Sequence, residues 1–117
     1  MKRLDNLQSS PFKVLFVTCP NTIEAENIAR ILVNNKLAAC VNIINNLKSI
    51  FTWKGNVEVY EEALLIIKTT EERLEKLEET IKKYHSYTVP EIIVLDIKAG
   101  NLDYLKWMVE VTTENYV

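Results

Sequence analysis

Two short runs, Val14-Leu15-Phe16-Val17 and Ala63-Leu64-Leu65-Ile66-Ile67, are apolar at every position. A strand with water on one side alternates polar and apolar residues, so an unbroken run of this kind reads as a strand covered on both faces. Two such strands belong side by side at the centre of one sheet. The rest of the chain must then supply the edges of that sheet and its cover.

The segments between and beyond these runs carry the signals for that cover. Pro20 stops the first strand, and Asn21 followed by Glu24 is a capping pattern: the amide oxygen accepts an unpaired N–H while the carboxylate reaches back. Ala25, Ile28, Ala29, Leu32 and Val33 recur at helical spacing, which predicts a helix from Asn21 to about Asn35. Leu37 to Ile44 and Ser49 to Trp53 form a second strand, interrupted by a bulge or short loop at Asn45-Asn46. Lys54-Gly55-Asn56 is turn chemistry, and the return arm of the hairpin runs from Val57 to about Thr69. Thr69 with Glu72 repeats the capping box, ahead of a second helix with the stripe Leu74, Leu77, Ile81 and Tyr84. Pro90 disfavours helix at Val89, so Tyr84 to Glu91 is a joint leading into a fourth strand, Ile92 to Ile97. Ala99-Gly100-Asn101 breaks that strand. Leu102, Leu105, Met108 and Val109 mark a short last helix, and residues from Thr113 to Val117 are expected to fray.

The order is β-α-β-β-α-β with an appended helix, which predicts an α+β, ferredoxin-like antiparallel sheet with an extra C-terminal helix. The two apolar strands form its central pair, with the helices on one face. A length of 117 residues suits one domain, expected over 11–117 behind a disordered tail at 1–10. Lys2-Arg3 in that tail is followed by no apolar stretch, so no secretory signal is expected and the cytosol is the default compartment. The longest purely apolar runs are about five residues, against the roughly 20 a membrane helix needs, so no membrane partner is expected. A net charge of -2 with scattered Lys and Arg argues against nucleic acid. Two cysteines, Cys19 and Cys40, are too few for a disulfide scaffold.

This topology gathers the chemistry at one end of the sheet: Thr18-Cys19-Pro20, the first helix start at Asn21, the hairpin tip at Trp53-Lys54-Gly55, and the joint from His85 to Glu91. His85 is the only histidine. With Glu91 and Cys19 it offers imidazole, carboxylate and thiolate, a metal-ligand set suited to copper or zinc. The plainer alternative is a histidine that fixes the loop through hydrogen bonds and a cysteine that is a simple buried thiol. Trp53, Tyr60 and Tyr87 either line a small-molecule cleft between subunits or pack at a subunit contact. Lys68 either binds an anion in that cleft or is a surface lysine. The hairpin also outruns its cover. Arms of about 13 residues span roughly 43 Å at strand rise, whereas a 14-residue helix covers about 21 Å. Ile50, Phe51, Trp53, Val57, Val59 and Tyr60 are thereby left for a partner subunit, and a closed homo-oligomer is the simplest arrangement.

Several motifs in order make the chain similar to the CutA divalent-cation tolerance family over about Lys13 to Val111. They are Val17-Thr18-Cys19-Pro20, Lys36-Leu37-Ala38-Ala39-Cys40-Val41-Asn42, Ser49-Ile50-Phe51-Thr52-Trp53-Lys54-Gly55, Ile67-Lys68-Thr69-Thr70, and His85-x-Tyr87-x-x-Pro90-Glu91-Ile92. The resemblance implies a homotrimer like that of the PII-like signalling proteins, with clefts between subunits, binding of a divalent metal ion with copper favoured, and no catalysis or organic cofactor. The alternative within the same resemblance is a trimer that senses a small ligand or partner protein in its intersubunit cleft. The chain departs from the family at Ser86 and Thr88, where members usually have proline and an acid. Two other classes share the element order. An acylphosphatase would want an arginine in a phosphate-cradling loop, which Thr18-Cys19-Pro20-Asn21 lacks, and an RNA-recognition module would want aromatics on its central strands and a basic face.

Overall fold

Burial along the first strand alternates for most of its length. In the computed structural model, which describes residues 10–113, Lys13, Leu15, Val17 and Cys19 are buried on one face, while Val14 and Phe16 are half-buried on the other. The elements are β1 (Phe12–Cys19), α1 (Thr22–Asn34), β2 (Cys40–Trp53), β3 (Asn56–Thr70), α2 (Leu74–Tyr84), β4 (Ile92–Asp96) and α3 (Leu102–Thr112). The sheet order is β2-β3-β1-β4, with every neighbouring pair antiparallel. β1 and β3 are the central pair, as their unbroken apolar runs require. The expected tail falls on residues 1–9, outside the described residues, as do 114–117 of the expected frayed end. Ser10, assigned to that tail by the sequence, is tied to β4: its hydroxyl donates to the Ile97 carbonyl at 2.7 Å.

Helices α1 and α2 cover one face, where Leu15, Val17, Ala63, Leu65 and Ile67 meet Ala25, Ile28, Leu32, Leu77 and Ile81 in a single core. The opposite face is partly covered by α3. Tyr104 of α3 interacts with Cys40, which lies in register with Lys68 and so on the same face as Val14. Met108 is fully buried there. The second face of the two apolar runs is thus half-buried rather than open to water, in keeping with the absence of polar residues at Val14 to Val17 and Ala63 to Ile67. Ile44, Ile93 and Leu95 remain exposed on this second face.

The local signals are met in part. Asn21 caps α1 by accepting from the Glu24 N–H at 2.8 Å. Asn101, read from sequence as part of a breaker, also caps α3, accepting from the N–H groups of Asp103 and Tyr104. Asn46 takes a left-handed φ of 59° at the register shift between Ile44 and Leu47, the expected bulge. Gly55, at φ 81°, supplies the turn. The capping box at Thr69 is not formed. Thr69 is still in β3, opposite Lys13, and its buried hydroxyl donates to the Leu37 carbonyl at 2.6 Å. The chain instead enters α2 through a 3-10 turn at Glu71–Arg73.

Candidate functional site

Cys19 ends β1 with its side chain buried, and α1 begins three residues later. α2 ends at Tyr84, so His85 follows as its cap, with its N–H bonded to the Ile81 carbonyl at 2.8 Å. The imidazole is turned inward and the residue is only 7% exposed. Its Nε2 lies 2.7 Å from the Thr18 carbonyl oxygen, which can only accept, so Nε2 carries the proton. Nδ1 accepts from the Tyr87 N–H at 3.0 Å. The ring is therefore the neutral Nε2–H tautomer, and its two hydrogen bonds pin the joint to the end of β1.

A carboxylate stands beside this imidazole, but it is Glu24. Its Oε2 is 3.6 Å from His85 Nδ1 and accepts from both the backbone N–H and the hydroxyl of Ser86, at 3.2 and 3.1 Å. The potential ligand atoms of Cys19, Glu24 and His85 all lie within 4.8 Å of one another. Of the three residues expected from sequence, His85 and Cys19 are brought together, while Glu91 sits exposed on the wall of a neighbouring cleft. The joint at 86–90 carries Glu91 away to the start of β4. Glu24 was visible only as the second half of a capping box. Its carboxylate reaches across to Ser86 rather than back to Asn21, because the first turn of α1 lies against the joint.

The electrostatics favour an uncharged thiol in the absence of a cation. Burial, and then the charges of Glu24 and Glu62, push the Cys19 thiol up to about 12. The set of thiol, imidazole and carboxylate fits a borderline-soft ion such as copper or zinc. Holding one there would require the thiol to give up its proton and Nδ1 to release the Tyr87 N–H.

Beside this cluster, the outer half of the β2-β3 hairpin and the joint enclose an open cleft of about 720 Å³, lined by Trp53, Tyr60, Glu62, Tyr87 and Glu91 among others. Trp53 and Tyr87 are both on the wall of this cleft within one chain. The Tyr87 hydroxyl donates to Glu62 Oε2 at 2.9 Å. Burial, together with this bond to the carboxylate, raises the Tyr87 pKa far above the usual phenol value. Lys68 does not line the cleft. It lies at the other end of β3, in register with Val14 and Cys40, and donates to Asn42 Oδ1. From position 62, the β3 wall residue nearest to it, to position 68 the strand runs roughly 20 Å, more than a lysine side chain spans.

The family model for the CutA1 divalent ion tolerance protein matches residues 13–111. The chain belongs to the CutA1 family. It is 47% identical over 100 residues to the divalent-cation tolerance protein CutA of Thermus thermophilus, a match covering 86% of this chain and 97% of that one. It is 46% identical over 105 residues to the chloroplastic protein CutA 1 of Oryza sativa subsp. japonica, covering 90% of this chain but only 59% of the rice protein. The crystal structure of CutA1 from Oryza sativa superposes with a TM-score of 0.87 at 45% identity, covering 92% of this chain and 98% of that one. The CutA1 fold therefore extends over nearly the whole chain, including the joint that bears His85.

Proposed function

We propose that this CutA1-family protein works in divalent-ion tolerance by binding the ion, copper foremost, at Cys19, His85 and Glu24, as a cytosolic homotrimer without catalytic activity. The observation that carries the reading is the convergence of three donor types within 4.8 Å. Thiolate and imidazole select copper and zinc over magnesium and calcium, and the carboxylate adds a compensating charge. Cys19 and His85 are buried and Glu24 is half-buried, so a bound ion would be largely shielded from water. Assembly as a trimer is supported by the apolar surface that the hairpin leaves uncovered, with Ile50, Val57 and Val59 at 66%, 72% and 56% exposure.

Copper titration of the wild type against His85→Ala and Glu24→Gln tests the metal half of the reading. Affinity should fall at least tenfold in His85→Ala, and equal affinities in all three proteins would reject the site. A solution mass of one chain would reject the trimer. A second reading, a sensor of a small ligand, is favoured by one observation alone, the open cleft beside the metal cluster.

A further inference from the structure

The joint after α2 is held by the same atom that a metal ion would need. The Tyr87 N–H donates to His85 Nδ1 at 3.0 Å, and the acceptor nitrogen of a neutral imidazole has a single lone pair. The other ring nitrogen offers no alternative, because Nε2 donates to the Thr18 carbonyl at 2.7 Å. A backbone carbonyl on the far nitrogen is also the usual support of a metal-bound imidazole, so the ring is already turned to ligate through Nδ1. Glu24 differs. A carboxylate has about four lone-pair sites, so it can take an ion and keep both bonds from Ser86. Uptake of an ion therefore leaves Ser86 anchored and frees the chain from Tyr87 onward.

Tyr87 has a second attachment. Its hydroxyl donates to Glu62 Oε2 at 2.9 Å, within the same chain. Glu62 stands opposite Leu47, in the first pair beyond the bulge at Asn46, where the outer half of the hairpin begins. The N–H and the hydroxyl of one residue thus tie the metal cluster to the outer hairpin, and the Tyr87 ring centre lies 4.9 Å from that of the imidazole. We infer, resting on the metal-binding role proposed for Cys19, His85 and Glu24, that Tyr87 is a latch between that cluster and the hairpin. When an ion is bound, the Tyr87 N–H leaves His85 Nδ1 and its hydroxyl loosens from Glu62, so metal loading is transmitted to the part of the chain that meets its neighbours in the proposed trimer. The coupling is reciprocal, since a bond that must break on binding opposes binding. Whatever fixes Tyr87 on Glu62, a neighbouring subunit included, weakens the hold on the ion, and releasing Tyr87 strengthens it.

Zinc is the probe, because it does not oxidise the thiol, and the full chain is used in its native assembly. With heavy nitrogen placed in the five tyrosines only, Tyr87→Phe identifies the Tyr87 amide signal by its loss. Zinc should speed hydrogen exchange of that amide in the wild type at least tenfold, while the Tyr104 amide, bonded to Asn101 at the start of α3, should be unaffected. Tyr87→Phe keeps the N–H and removes the tie to Glu62, so calorimetry should show it binding zinc at least threefold more tightly than the wild type. An unchanged affinity in Tyr87→Phe would overturn the latch and leave the metal site standing, as would a Tyr87 amide that exchanges at the same rate in the zinc-loaded wild type. Wild-type protein that takes up no zinc would reject the metal site and the latch together.

Discussion

Ser86 holds Glu24 in place: its backbone N–H and its hydroxyl both donate to Glu24 Oε2, at 3.2 and 3.1 Å. That pair of hydrogen bonds between the joint and α1 sets the carboxylate next to His85 and Cys19. Ser86→Ala removes the hydroxyl bond and keeps the N–H. Because the pair is near the surface, the variant should lose about 1 kcal/mol of stability in denaturant unfolding. Ser86→Pro removes both donors, and if the clamp positions Glu24 it should weaken zinc binding more than Ser86→Ala does. An alanine variant with wild-type stability and metal affinity would show that the clamp is incidental.

The buried Cys19 thiol gives the protein an alkaline limit. In the folded chain its proton is held to about 12, whereas the unfolded value is near 9.0. Folded pKa above unfolded pKa means that the contribution is complete below pH 9 and is lost as pH rises toward 12. Tyr87, also raised, starts from 10.0. The loss of stability between pH 9 and 10 therefore belongs chiefly to Cys19, and it should be reduced in Cys19→Ala when urea midpoints are compared across that window. The same protonation makes Cys19 inert, so iodoacetamide at pH 8 should label the half-exposed Cys40 and leave Cys19 unmodified in the native protein.

Central strands, caps and the hairpin turn were legible because each depends on local pattern. Val14 to Val17 and Ala63 to Ile67 are apolar on both faces whatever covers them, and Asn21 caps α1 through an atom three residues away. The site was legible only as far as topology brings His85 to the end of β1. Glu24 and Glu91 are both carboxylates near that end, and choosing between them needs the angle at which the first turn of α1 meets the joint. Thr69 failed as a cap for a related reason. Threonine that can cap a helix can equally satisfy a strand-end carbonyl, and the Leu37 carbonyl is a tertiary partner that no local pattern announces. Lys68 stands at the far end of β3 from the hairpin turn, bonded to Asn42, while the wall of the cleft within one chain comes from the outer half of the hairpin and the joint.

Metal binding at this cluster should be strongly linked to pH. With Cys19 protonated up to about 12, an ion that ligates the thiolate must displace its proton. Zinc is the suitable probe because it does not oxidise the thiol. Its apparent affinity should rise about tenfold per pH unit between pH 7 and 8.5, with one proton released per ion. Calorimetry in buffers of different ionisation enthalpy reads that proton directly. Affinity that does not change with pH would remove Cys19 from the ligand set.

The uncovered back of the hairpin gives the last test. Ile50 stands opposite Val59, and Thr52 opposite Val57, so Ile50, Val57 and Val59 share the hairpin face opposite Tyr60 and Glu62, with Ile50 also bordering the cleft. All three are more than half exposed. In a lone chain, a charge at Val59 costs little because water is already there. In an assembly that covers the face, the same charge is desolvated without a partner and the apolar contact is lost, at about 1.5–3 kcal/mol for a fully buried valine before the charge is counted. Val59→Glu should therefore fold with a native circular dichroism spectrum yet dissociate at least tenfold more readily than the wild type in sedimentation equilibrium. Thr52→Glu, beside the patch and opposite Val57, should act in the same direction, whereas Glu58→Gln, on the cleft face, should leave assembly unchanged. If Val59→Glu sediments like the wild type, subunits meet elsewhere, and the exposed second face of the sheet at Ile44, Ile93 and Leu95 becomes the surface to substitute.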